Sequence, residues 1–210
     1  MMNPYNEEIH DTFFINMQKM QYQFDFDKCI RKIVQKGLSI YGSEFVLTDS
    51  MRKTYLTVLS YAVNDEVRIE QKQLDLKKGL MLMGAPYSGK TAVLHLCKPF
   101  FKRKESFKIY NIKKLTCDFA QKGYVALEEV LALKYPICLD GIGEEKEVKH
   151  FGNSCDIVLE IIEYIYQHRH TYQRPMLHIT TRLKASELEE RYGSFFRKML
   201  KDLVNVVVVD

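Results

Sequence analysis

Gly79-Leu80-Met81-Leu82-Met83-Gly84-Ala85-Pro86-Tyr87-Ser88-Gly89-Lys90-Thr91 is an apolar run that ends in G-x-x-x-x-G-K-[ST], and an apolar pattern resumes at Val93, Leu94, Leu96 and Cys97. Leu80 to Met83 read as a short buried strand and the spacing after Thr91 as a helix, so the stretch between is a phosphate loop of the Walker A type. Gly84 and Gly89 let the backbone curl around Ala85, Pro86, Tyr87 and Ser88 so that N–H groups face phosphate oxygens. The positive end of the following helix faces the same point. In such a loop Lys90 bridges the β- and γ-phosphates of ATP and Thr91 holds Mg2+. The bare pattern also occurs as a Gly-containing turn in ordinary β–α units; the flanking strand and helix are the context a nucleotide site requires.

The composition restricts what surrounds this loop. A chain of 210 residues with 46% hydrophobic and 28% charged residues suits one globular domain with a small appendage. No run nears the roughly 18 apolar residues of a membrane helix. The N-terminal Met1-Met2-Asn3-Pro4-Tyr5-Asn6-Glu7-Glu8 is acidic and polar where a secretory leader is basic and then apolar, so a cytoplasmic protein is expected. Cys29, Cys97, Cys117, Cys138 and Cys155 are scattered without a C-x-x-C pair, which points to reduced thiols rather than disulfides or zinc. His168 and His170 are two apart, the wrong spacing for two ligands on one helical face.

Along the chain, Phe13, Met17, Met20 and Phe24 recur at helical intervals, either as a core-facing stripe or as a docking face. A second helical pattern, Cys29, Ile30, Ile33 and Val34, is expected to end near Gly37. Thr48-Asp49-Ser50 offers N-caps for a helix carrying Met51, Tyr55, Leu59 and Ala62 on one face. Glu66 to Lys78 reads as a polar linker. Beyond the phosphate loop, strands are expected at Phe107 to Tyr110, Tyr135 to Asp140, Met176 to Thr181 and Val204 to Val209. Helices are expected at Ile112 to Lys134 with a break at Gly123, at Asp156 to Gln167, at Ser186 to Tyr192 and at Phe195 to Leu203, with a polar loop from Gly141 to Asn153. Strands alternating with helices imply a parallel sheet covered on both faces. Asp140, delivered at the end of a buried strand about fifty residues after Lys90, fits the carboxylate that holds Mg2+ in P-loop ATPases.

From Phe45 onward the chain resembles the DnaC/IstB-like branch of the AAA+ ATPases, which includes bacterial helicase loaders and transposition helper ATPases. The likeness rests on Phe45-Val46-Leu47-Thr48, Lys78-Gly79-Leu80, Asp140 with Ile142-Gly143, Thr180-Thr181 and Glu187-Leu188-Glu189-Glu190-Arg191-Tyr192-Gly193. It implies a five-stranded parallel P-loop core (residues 45–210) behind an N-terminal helical extension (residues 1–44). It also implies action as a homo-oligomer, and a replicative helicase or transposase as client.

Departures from the family pattern accompany the match. Gly141 stands where an acidic residue normally prepares the attacking water, Arg182 where an Asn normally senses the γ-phosphate, and Phe195 and Met199 where arginines are expected, with Arg197 retained nearby. The Arg expected before the Tyr of Ile165-Tyr166 is missing, and no lid arginine is expected beyond Asp210. Glu144 and Glu145 are the nearest downstream acids, about 10 to 13 Å along an extended chain from Asp140, out of reach unless the loop folds back. Two readings therefore compete: a slow ATPase that loads or remodels a DNA machine, accelerated by Gly141→Glu, and a non-catalytic ATP-binding adaptor. A small-molecule P-loop kinase is a third. Lys98, Lys102, Arg103, Lys104, Lys108, Lys113 and Lys114, interleaved with Phe100, Phe101, Phe107 and Tyr110, suit single-stranded DNA through backbone contact and base stacking, or equally a solvated helix end before a half-buried strand.

Overall fold

A computed structural model of the chain describes residues 3–16, 21–146, 148–150 and 153–210. In chain order the elements are β1 (Phe13–Asn16), β2 (Gln21–Phe24), α1 (Phe26–Tyr41), α2 (Asp49–Ala62), α3 (Glu66–Gln71), β3 (Gly79–Gly84), α4 (Lys90–Cys97), β4 (Lys108–Asn111) and α5 (Ile112–Lys122). Then follow α6 (Glu128–Leu131), β5 (Ile137–Ile142), β6 (Val148–His150), β7 (Asn153–Cys155), α7 (Ile157–His168), β8 (Leu177–Thr181), α8 (Ala185–Tyr192), α9 (Ser194–Leu203) and β9 (Val204–Val209). The chain divides into two compact units, one of Met1–Leu74, Gly89–Ser106 and Val209–Asp210, the other of Asp75–Ser88 and Phe107–Val208.

The second unit is built on a five-stranded parallel sheet, ordered β4-β5-β8-β3-β9 and flanked by helices, as the family resemblance implies. Strands β3, β5 and β8 are covered on both faces: Leu80, Leu82, Ile137, Cys138, Leu139, Leu177 and Ile179 are all buried, as are His178, Thr180 and Thr181 of β8. At the edge, β9 alternates, with Val206 and Val208 exposed and Val207 buried. Strand β3 begins where backbones nearly touch, since a Cβ on Gly79 would lie 1.7 Å from the Leu177 carbonyl oxygen. Asn205 of β9 secures this entry: its Oδ1 accepts the Asp75 N–H at 2.8 Å and its Nδ2 donates to the Gly79 carbonyl at 3.0 Å.

The helices of this unit are set by caps and stripes. Asp156 caps α7 by accepting the Leu159 N–H at 3.1 Å, and Ile157, Val158, Ile161, Ile162 and Ile165 form its buried face. In α9, Phe196, Met199, Leu200 and Leu203 bury one face at intervals of three, one and three. Asn111 caps α5 through the Lys114 N–H at 3.1 Å, placing Ile112, Leu115 and Phe119 in the same core.

In the first unit α1, α2 and α4 pack together. Thr48 caps α2 as its sequence implies, accepting the Met51 N–H at 3.3 Å, and Tyr55, Leu59 and Ala62 are buried. The N-terminal segment departs from expectation. Phe13 and Phe24, placed on a helix by their spacing, pair directly across an antiparallel hairpin of β1 and β2. Met17 and Met20, the middle of that stripe, lie outside the described residues. The physical reason is an aromatic cluster: buried Tyr5 meets Phe13, Tyr22 and Phe24 at ring-centroid distances of 5.7, 5.3 and 5.0 Å, and aromatic residues favour a pleated strand.

Three smaller departures follow the same logic of tertiary context. Helix α1 runs through Gly37 to Tyr41, because Gly37 is a packing site where a Cβ would lie 2.4 Å from the Phe45 ring. The polar linker contains α3, capped by Asp65, which accepts the Arg68 N–H at 3.0 Å. The polar loop after Gly141 contains the antiparallel pair β6 and β7.

Candidate functional site

The G-x-x-x-x-G-K-[ST] stretch runs from the end of β3 to the first turn of α4. Tyr87 and Gly89 both adopt positive φ, 63° and 82°, the left-handed backbone found where successive N–H groups form an anion nest. The Ser88 N–H donates to the Ala85 carbonyl at 3.3 Å, and the Val93 N–H donates to the Gly89 carbonyl at 2.9 Å as α4 begins. Ala85, Pro86, Tyr87 and Thr91 are exposed, while Gly84, Ser88, Gly89 and Lys90 are half-buried.

Within the second unit Asn111, Asp140, Thr180 and Leu82 stand in one row across β4, β5, β8 and β3. Asp140 is buried, and its Oδ1 accepts the Thr180 hydroxyl at 2.7 Å. The ladder shifts by one residue between Asp140 and Ile142, so Gly141 is the extra residue of a bulge. Its φ of 86° is one that L side chains rarely adopt, and its N–H turns to the Thr180 hydroxyl at 2.9 Å. This is the physical reason that no acid follows Asp140: the backbone there is shaped for glycine.

The chain then folds back. The Glu144 N–H donates to the Gly141 carbonyl at 3.0 Å, closing a turn, and the half-buried Glu144 carboxylate meets Lys113 Nζ at 2.7 Å. Glu145 points elsewhere: it is buried, accepts the Gly143 N–H at 2.8 Å, and is gripped by Arg191 at 2.9 Å and by the Tyr192 hydroxyl. Burial pushes the nearby Asp156 carboxyl up, with the Glu145 charge adding to it and the Leu159 N–H opposing. The Arg191-Tyr192-Gly193 segment singled out in the sequence therefore clamps the loop that follows Asp140. Neither this clamp nor the role of Thr180 was read from the sequence; the adjacent Thr180-Thr181 and Arg191-Tyr192 pairs were the only signals.

Arg182 is exposed just after β8, and Arg197 pairs with Glu189 of α8. Phe100, Phe101 and Phe107 are buried, so base stacking on them, expected for single-stranded DNA, is unavailable. The basic stretch itself divides between the two units at Ser106. A cavity of about 520 Å³ lies at the opposite, N-terminal ends of β3 and β8, lined by Lys78, Arg169, His170 and Arg174 among others. Among the described residues no group of His, Cys, Asp or Glu is placed to hold a metal ion by itself, and no helix is long and apolar enough to cross a membrane.

No protein-family model matches the chain, and no curated protein does. Solved structures do. The DnaC helicase loader is similar at 20% identity and a TM-score of 0.54, over 78% of this chain and 92% of that one. DnaI is similar at 20% identity and 0.53, over 86% and 90%. The chain has the fold of the DnaC helicase loader. A primosome component from Streptococcus pyogenes serotype M3 adds a third likeness, at 19% identity and a TM-score of 0.54, over 80% of this chain and 84% of that one. Identities this low carry architecture alone, so in this DnaC-like fold the roles of Lys90, Thr91, Asp140 and Arg182 rest on the chain's own residues.

Proposed function

We propose that this chain binds ATP with Mg2+ and works as a slow, oligomeric ATPase that loads or remodels a partner in DNA replication or transposition, a replicative helicase or transposase-like protein. Lys90 meets the β- and γ-phosphates, and Thr91 and Asp140 hold the metal ion. The observation that carries the reading is Asp140: a buried carboxylate of β5 just before the bulge at Gly141, oriented by Thr180, in a sheet whose β3 leads into the G-x-x-x-x-G-K-[ST] loop. The donor set is oxygen from a hydroxyl and a carboxylate, which suits Mg2+. The metal would neutralise charge developing on the phosphates, and Lys90 would add a fixed cation. The similar structures include a helicase loader and a primosome component, which supports a helicase as the partner.

A second reading, an ATP-binding adaptor with little turnover, is favoured by Gly141, whose positive φ strains any acid placed there. Both readings require nucleotide binding. MgATP at about 100 times its Kd should stabilise the fold by about 2.7 kcal/mol, and Lys90→Ala should remove most of that shift. An unchanged melting temperature across a millimolar MgATP titration would sink both readings. Retention of the replicative helicase on the tagged protein only with MgATP is expected, and its absence would reject the loader role.

A further inference from the structure

We infer that Glu144 supplies the general base that Gly141 cannot, reaching the site through the turn rather than from the strand. This rests on the ATPase reading above. The turn closed by the Glu144 N–H and the Gly141 carbonyl brings a residue three positions later back over the bulge. The Glu144 carboxyl carbon lies 3.6 Å, and Oε2 3.8 Å, from where a Cβ on Gly141 would stand. In a glutamate at that position the carboxyl carbon would be about 2.5 Å from its own Cβ. The Glu144 carboxylate thus lies in van der Waals contact with the position a side chain at 141 would start from.

The neighbouring acids divide the work. Asp140 is turned to Thr180, and Glu145 is committed to Gly143, Arg191 and Tyr192, which leaves Glu144 as the half-buried carboxylate of the turn. Lys113, in the first turn of α5 and two residues past Asn111, the register partner of Asp140, holds Glu144 in place at 2.7 Å. In the step assigned to it, the Glu144 carboxylate takes a proton from water as the water oxygen bonds to the γ-phosphorus. The bond from that phosphorus to the β–γ bridging oxygen breaks, and ADP leaves with the electron pair. Inorganic phosphate is the other product, and Glu144 returns its proton to solvent.

The test measures single-turnover ATP hydrolysis and MgATP affinity on full-length wild type, Glu144→Gln, Glu144→Asp and Lys113→Gln. Glu144→Gln keeps the side-chain shape and should lower hydrolysis by about 100-fold or more, with affinity within about twofold. Glu144→Asp keeps the carboxylate on a shorter stem and should fall between Glu144→Gln and wild type. Lys113→Gln keeps the base but removes the ion pair that positions it, so its hydrolysis should fall between Glu144→Gln and wild type; hydrolysis lower than that of Glu144→Gln would overturn the base role. Wild-type binding without hydrolysis, or hydrolysis indifferent to Glu144→Gln, overturns this inference and leaves nucleotide binding standing. Absence of MgATP binding in wild type overturns the reading beneath it and this inference together.

Discussion

The Thr180 hydroxyl donates to Asp140 Oδ1 at 2.7 Å while accepting the Gly141 N–H at 2.9 Å. One buried side chain thus orients the proposed metal-binding carboxylate and anchors the bulge beside it. Thr180→Val keeps the volume and removes both bonds. It should destabilise the fold by about 1 to 3 kcal/mol and weaken nucleotide binding more with Mg2+ than without it. Urea unfolding and nucleotide titrations with and without Mg2+ would check this, and equal binding in both cases would deny Thr180 its role.

Gly141→Glu, which the sequence pattern presents as restoring an ATPase, is expected to fail. At a φ of 86° a side chain is strained, costing roughly 1 to 2 kcal/mol, and its carboxylate would compete with Glu144 for one space. Stability should drop and hydrolysis should not rise. Gly141→Ala separates the two causes, since it carries the strain without the charge. A faster, equally stable Gly141→Glu protein would refute this account of the bulge.

Glu145→Ala is expected to cost about 2 to 3 kcal/mol, because Glu145 is buried and its partner Arg191 is left without its carboxylate. The partial exposure of Arg191 keeps this below the full cost for a buried pair. Faster amide exchange at Gly143 and the neighbouring loop is the accompanying signature, read by hydrogen–deuterium exchange.

His178 makes stability depend on pH. Its Nδ1 accepts the Leu80 N–H at 3.1 Å in a fully buried setting against Phe107, and burial pushes its pKa from 6.5 down to about 3. The unfolded chain takes up this proton below about pH 6.5 and the folded chain does not until about pH 3. The stability owed to the group is therefore complete above pH 6.5 and declines as pH falls through that window, by up to about 1.4 kcal/mol per pH unit. His178→Gln keeps an acceptor and should flatten this slope while costing about 1 to 2 kcal/mol at neutral pH. Denaturant midpoints at several pH values would show it; an unchanged slope would rule out His178 as its source.

The sequence by itself determined the sheet of the second unit, because Leu80–Met83, Ile137–Leu139 and Met176–Thr181 are short strand-like runs separated by amphipathic helices. Those are local signals, carried by side-chain period; the caps Asp156 and Asn111 emerged only in the structure. It also singled out the G-x-x-x-x-G-K-[ST] loop that follows β3, and Asp140, which lies within β5 rather than at its end. Only the tertiary structure decided what lies beyond nearest neighbours in the chain. Phe13 and Phe24 fit a helical stripe until Tyr5 and Tyr22 gather them across a hairpin. Gly37 looks like a helix end until Phe45 occupies the space of its missing Cβ. Glu144, distant from Asp140 along an extended chain, returns to Gly141 because a bulge at positive φ and a hydrogen-bonded turn reverse the backbone within four residues. Such reversals depend on backbone dihedrals and on partners such as Thr180 and Arg191, roughly forty residues away in sequence, which no pattern of neighbouring residues encodes.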